Sequence, residues 1–194
     1  MYKMIVETKN KKQALIRLLE RGDAAALYNY FNRLSAKSKS RFGPHPFDEA
    51  TIRNICNDLP GDMSRYVAVD LSSGEIVAYM LIKPGMIEWD EKRYAQRNQY
   101  FSNHDAVTFA PSVADEWQST GLGSKMYAVI EKELREKGIS NIILWGGVQA
   151  TNEKAVNYYK KHGYKFIASF WHDGKDNYDM VKTIKETADE KLIS

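Results

Sequence analysis

An α/β domain built on one mixed sheet is predicted by three features of this chain. Strand-like runs alternate with amphipathic helical stripes along most of its length. Turn and cap residues separate them. One buried-type strand pattern, with Ile142, Ile143, Leu144 and Trp145 consecutive, stands between two helical stripes.

Residues 2–8 read as a short strand. A helix is predicted from Asp23 as N-cap, with Leu27, Tyr28, Phe31 and Leu34 on one face. Arg41 to Phe47 holds two prolines around His45 and fits no regular element. Asp48 then caps a second helix with Ile52, Ile55 and Leu59 inward. Tyr66 to Leu71 and Glu75 to Ile82 pair through a Ser-Ser-Gly turn. Residues 84–104 are polar and aromatic, with a short helix over about 90–99. A fourth strand covers 106–113, and the next helix carries Leu122, Met126, Val129, Ile130 and Leu134 up to Gly138. A strand follows from Ser140 to Gly147, then a helix from near Asn152 to Gly163. Tyr164 to Trp171 and Tyr178 to Ile184 form a hairpin with Asp173-Gly174 as its turn. The charged tail, 185–194, is expected to fray.

The 194 residues suit one domain over 1–194. A hydrophobic content of 43% against 27% charged is that of an ordinary soluble globular chain. The net charge of +3 is too balanced to argue for nucleic acid or membrane, and neither is expected as a partner. Cys56 is the single cysteine, so no intramolecular disulfide forms, and its apolar helical setting reads as a buried thiol. The four histidines do not fall into ligand spacing, so no metal is expected. No secretory leader and no run of about 20 apolar residues is visible, which predicts a cytoplasmic location.

The chemistry concentrates at residues 113–124. A strand feeds a loop with Gln118, Gly121 and Gly123, and a helix begins at once. The first N–H groups of a helix lack partners within it, and its dipole favours negative charge there. Glycine lets an anion reach the backbone. A phosphate-bearing ligand at 118–124 is one reading; a simple chain turn is the other.

Two motifs then resemble the GNAT superfamily of acyl-CoA-dependent N-acetyltransferases. The first is Gln118-Ser-Thr-Gly121-Leu-Gly123, preceded by the apolar Val113; the second is Asn152, Ala155, Tyr159, Gly163 and Tyr164. The resemblance implies a mixed, mostly antiparallel central sheet flanked by helices, with splayed fourth and fifth strands. It implies acetyl-CoA as co-substrate, its pantetheine arm pairing near Ser112 and Val113. Its pyrophosphate would rest on Gln118, Ser119, Thr120, Gly121, Leu122, Gly123 and Ser124, with Asn152 near the arm. Gly146-Gly147 fits close backbone approach at that gap. Tyr159 would give the leaving thiolate its proton, beside a structural or cofactor-positioning role for the same ring. Carboxylates that some relatives carry five residues before the Asn or eleven before the Gln are Gly147 and Val107 here. Glu88, Asp90, His104 and Asp105 are the nearby candidates for a base, while His45, Glu88 and Trp89 are expected at the acceptor.

The function expected is acetyl transfer to a primary amine by direct attack, on a small-molecule acceptor. A protein lysine or N-terminal acceptor is the alternative, and a non-catalytic acyl-CoA sensor is an alternative of another class. The terminal hairpin offers sheet edges for a homodimer.

Overall fold

The computed structural model describes residues 3–184. The predicted tail at 185–194 and Tyr2 lie outside them. The chain divides into two compact units, Met1–Lys83 with Ala110–Val129, and Pro84–Phe109 with Ile130–Ser194.

The first unit opens on two strands, β1 (Lys3–Glu7) and β2 (Gln13–Leu18), paired antiparallel from Lys3↔Arg17 to Glu7↔Gln13. Sequence reading misses β2, although Ala14 and Ile16 alternate inward in strand fashion. A 3-10 turn, Arg21–Asp23, leads into α1 (Ala24–Arg33). Two expectations are corrected here. Asp23 stands at the N-cap position, but its side chain makes no cap hydrogen bond. Both its oxygens instead accept from Arg17, at 2.6 and 2.8 Å. And Tyr30, not Tyr28, joins Leu27, Phe31 and Leu34 in the core, the four standing at i, i+3, i+4 and i+7 along one helical face.

Burial works to raise the Asp23 carboxyl, but the Arg17 guanidinium holds it below the ordinary carboxylate range. A lowered folded-state value means that this pair stabilises above the unfolded value near pH 4, and that the contribution fades as pH falls through the folded one. Both side chains are 13% exposed. Asp23→Ala is expected to cost about 3 kcal/mol in urea unfolding, since it strands a buried guanidinium. A loss under about 0.5 kcal/mol would show a solvated pair instead.

A four-residue helix α2 (Ala36–Lys39) is followed by the Pro-rich loop and α3 (Glu49–Asn57). Asp48 caps α3 as expected, accepting from the Thr51 N–H at 2.9 Å. Ile52 and Cys56 are its fully buried residues, and Ile55 is partly covered. Strands β3 (Ser64–Asp70) and β4 (Ile76–Pro84) pair antiparallel as predicted, and β3 also pairs with β2.

Strand β5 (Ala106–Val113) falls on its predicted bounds. Its first half, in the second unit, pairs parallel with β6 (Asn141–Leu144), from Ala106↔Asn141 to Phe109↔Leu144. The pairing stops at Phe109 while β5 runs on to Val113. Helix α5 (Leu122–Glu136) buries the predicted stripe and ends before Gly138, which takes φ +76°.

In the second unit the 84–104 segment holds α4 (Glu88–Ala95), earlier than the 90–99 expected. Tyr94 is a core residue with Ala106, Ile143 and Val181, and Phe101 packs against them. Strand β6 ends at Leu144, not Gly147, because Gly146 and Gly147 both take positive φ and turn the chain. A two-residue strand β7 (Val148–Gln149) precedes α6 (Glu153–Lys161). The hairpin of β8 (Lys165–His172) and β9 (Lys175–Thr183) closes through Asp173 and Gly174, both at positive φ, as a type I′ turn demands. Strand β9 also pairs antiparallel with β6 and β7. The architecture is thus α/β with mixed, mostly antiparallel pairing, as the sequence predicts.

Candidate functional site

In the first unit, β5 delivers the chain to a 3-10 turn at Asp115–Trp117, and α5 starts five residues on at Leu122. Two residues between them lie in the left-handed region, Ser119 at φ +65° and Gly121 at φ +91°. Hydrogen bonds set this loop. The Gln118 amide donates to the Val113 carbonyl at 3.2 Å. Thr120 Oγ1 donates to the Trp117 carbonyl at 2.7 Å and accepts from the Leu122 N–H at 3.4 Å. Asp115 accepts from the Ser35 N–H, Ser35 Oγ and Ser38 Oγ. Burial opposes it, yet those donors hold the Asp115 carboxyl below its usual range.

Sequence reading misses what borders the loop. The Lys9 N–H donates to the Thr120 carbonyl at 2.9 Å, and its side-chain carbons lie 3.6 Å from where a Cβ on Gly121 would stand. The Lys12 ammonium sits 4.8 Å from the centre of the Trp117 ring. The β1–β2 turn therefore adds two cations beside a helix N-terminus, a combination that attracts anions. No local signal in residues 8–12 points there; the pairing of β1 with β2 carries them to it.

Ser112, expected beside the pantetheine arm, shares a 2.7 Å hydrogen bond through its hydroxyl with Tyr30. Burial pushes the Tyr30 phenol well above its ordinary value, so it stays protonated. His45 is not an open loop residue. Its ring packs 5.3 Å from Phe31 and from Phe42, and 5.8 Å from Tyr79. Nδ1 bonds the Pro46 carbonyl at 2.7 Å. Burial, with Arg65 adding to it, lowers its proton affinity, so the imidazole is neutral.

In the second unit, Asn152 is the N-cap of α6, its side-chain oxygen accepting from the Ala155 N–H at 3.4 Å. Tyr159 is 7% exposed and packs edge-on to Tyr164 at 5.2 Å. Burial raises its phenol far above neutral pH, which keeps the proton in place. Glu88 is exposed and pairs with Lys92 at 2.7 Å. Trp89, half exposed, has its ring 5.2 Å from His172. The expected close approach at Gly147 is real, but its partner is the protein. A Cβ there would lie 2.7 Å from the Tyr178 carbonyl oxygen and 2.9 Å from the Phe170 ring. A cleft of about 420 Å³ lined by Phe166, Ser169, Asp176 and Tyr178 includes none of the predicted site residues.

An ionic network here escapes sequence reading. Asp90 is fully buried, accepting from the Gly146 N–H at 2.9 Å and from Arg93 at 2.6 Å. Arg93 also grips Asp179 of β9 with two bonds, 2.7 and 3.2 Å, and lies 3.8 Å over the Phe170 ring. Among the described residues, no group of three or more His, Cys, Asp or Glu is placed to hold a metal ion. None of their helices is long and apolar enough to cross a membrane.

The model of the acetyltransferase (GNAT) family matches residues 26–164. Among solved structures, the GNAT domain of PAT from S. lividans is 19% identical, with a TM-score of 0.73 over 94% of this chain and 97% of that one. The ribosomal-protein-S5-alanine acetyltransferase from Vibrio fischeri is 14% identical, with a TM-score of 0.72 over 96% and 98%. A GNAT-family acetyltransferase from Streptococcus pneumoniae is 21% identical, with a TM-score of 0.65 over 89% and 99%. At these identities the likeness is one of fold. No curated protein matches the sequence. The family match spans both motifs, the Gly loop opening α5 and the Asn152–Tyr164 helix, and so this chain belongs to the GNAT family of acetyltransferases.

Proposed function

We propose that the protein uses acetyl-CoA to acetylate the primary amine of a small molecule by direct attack on the thioester. The observation that carries this reading is the loop at 118–124. Left-handed residues, a helix start and two neighbouring lysines suit it to the pyrophosphate of coenzyme A. In this reading Ser112 and Val113 flank the pantetheine arm, as does Asn152, and Tyr159 protonates the sulfur as it leaves. Support for a small acceptor comes from α4, which Asp90 and Arg93 tie to the Gly146 turn and to β9. An element so tied confines its surroundings, where a protein acceptor calls for an open groove. One catalytic domain acting in the cytoplasm belongs to the same proposal, and the single cysteine suits a reducing compartment.

Calorimetry with coenzyme A and thiol-release assays test this. Binding is expected, with thermal stabilisation approaching about 2.7 kcal/mol at ligand a hundred times Kd. Turnover is expected on an amine panel in preference to peptide pools. Turnover on peptides alone moves the acceptor to protein, binding without any turnover leaves a sensor, and absence of binding ends the reading.

A further inference from the structure

Strand β8 has an open edge. Among the described residues it pairs with β9 alone. Proteins commonly guard such edges with charges or prolines, and between Lys165 and His172 this one has neither. It holds Phe166, 52% exposed, and Trp171, 73% exposed. One face of the hairpin is covered: Arg93 of α4 lies over Phe170, Trp89 stands beside His172, and Ile167 packs on the Tyr94 cluster. The other face holds the cleft of Phe166, Ser169, Asp176 and Tyr178. We propose that the open edge of β8 pairs antiparallel with β8 of a second copy of this chain, about a twofold axis.

Two features make this edge complementary to itself. Read inward from either end, β8 has a basic residue, an aromatic, an apolar residue and a small one: Lys165, Phe166, Ile167 and Ala168 against His172, Trp171, Phe170 and Ser169. Antiparallel pairing about a twofold axis sets each against its counterpart. The second feature is the bulge between Phe166 and Ala168. Residues five apart on a regular strand point to opposite faces. Here Phe166 stands across from Met180 and Trp171 across from Asp176, positions four apart on β9, so the bulge brings both rings to one face. Each ring then meets the other kind across the axis, which makes two cross-strand aromatic pairs. A foreign strand would need no such symmetry; a second copy does.

The area is enough for a weak dimer. Two rings of about 200 Å² each, exposed to these extents, offer about 250 Å² per copy. Two copies with the rest of the edge bury on the order of 1,000 Å², where specific interfaces begin. Association in the micromolar range is expected, with monomer and dimer in exchange.

Sedimentation velocity of the full chain over about a hundredfold range of concentration tests this, since mass action raises the dimer fraction. A reversible dimer is expected. Trp171→Lys changes a ring already in water, so it should fold as the parent does and weaken association at least about tenfold. The register is read by mixing Lys165→Cys with His172→Cys under mild oxidation. The mixture should give a disulfide-linked pair. Either variant alone should not, because its two thiols lie seven positions, roughly 23 Å, apart along the shared edge. Cys56 is buried and stays out of the exchange. A monomer at every concentration overturns the proposal, whether the edge stays bare or residues 185–194 cover it. A dimer indifferent to Trp171→Lys, or cross-linked no better in the mixture than in the single variants, uses another surface and overturns it as well. None of these outcomes depends on whether the protein transfers acetyl groups.

Discussion

Tyr159→Phe is expected to lower kcat by about a hundredfold to a thousandfold, the range for loss of one positioned proton donor. The substitution is sharp because of where the ring sits. Tyr159 is nearly buried on α6, with Tyr158 at 5.4 Å and Tyr164 at 5.2 Å. Phenylalanine keeps that packing, so unfolding free energy should stay within about 1 kcal/mol of the parent. Only the hydroxyl goes. Burial keeps its proton bound across the neutral range, so the donor is fully populated at working pH. Thiol release measured beside a thermal melt separates the two roles of the ring. Full activity in Tyr159→Phe would mean that sulfur takes its proton elsewhere. A drop in stability matching the drop in rate would make the ring structural.

The second large effect is expected at Gly147, on stability instead of rate. Gly147→Ala should cost about 2–4 kcal/mol, which is roughly 5–15 °C in Tm for a chain of this size. Two causes add. The residue sits at φ +71°, where a Cβ is strained, and that Cβ would meet the Tyr178 carbonyl oxygen at 2.7 Å. Backbone at the far side of a sheet pairing cannot swing away as a side-chain tip could. Gly146 supplies the control: it also lies at positive φ, +61°, but nothing stands within 4 Å of its Cβ position. Gly146→Ala should therefore cost only about 1 kcal/mol. Equal melting points for the two variants would dispose of the packing argument.

Much of the fold was legible because local rules acted alone. Asp48 caps α3 with its own Thr51; Asp173-Gly174 turns a hairpin by backbone preference; the stripe from Leu122 to Leu134 has helical period. Strand β5 was bounded correctly from end to end. Where a competing partner lay far along the chain, local rules failed. Asp23 has the residue type of a cap, yet Arg17 of β2 claims its carboxylate, because a buried guanidinium gains more from two hydrogen bonds than a helix end gains from one. Tyr28 and Tyr30 are the same residue type, and only the packing of α1 decides which turns inward.

The candidate site divides in the same way. The Gly loop and the Asn152–Tyr164 motif are runs of neighbouring residues whose spacing is their meaning, so the sequence by itself determined the family and singled out the loop proposed to bind the donor and the residue proposed as acid. Tertiary structure alone decided the rest. Lys9 and Lys12 reach the loop from the β1–β2 turn, Tyr30 meets Ser112 across 82 positions, and Asp90 meets the Gly146 turn across 56. Spacing along a chain encodes what neighbours do together. Steric exclusion and hydrogen bonding depend on distance in space, and they are what close position 147 to a side chain and hold the Asp90 carboxylate of α4 on the adjacent Gly146 N–H.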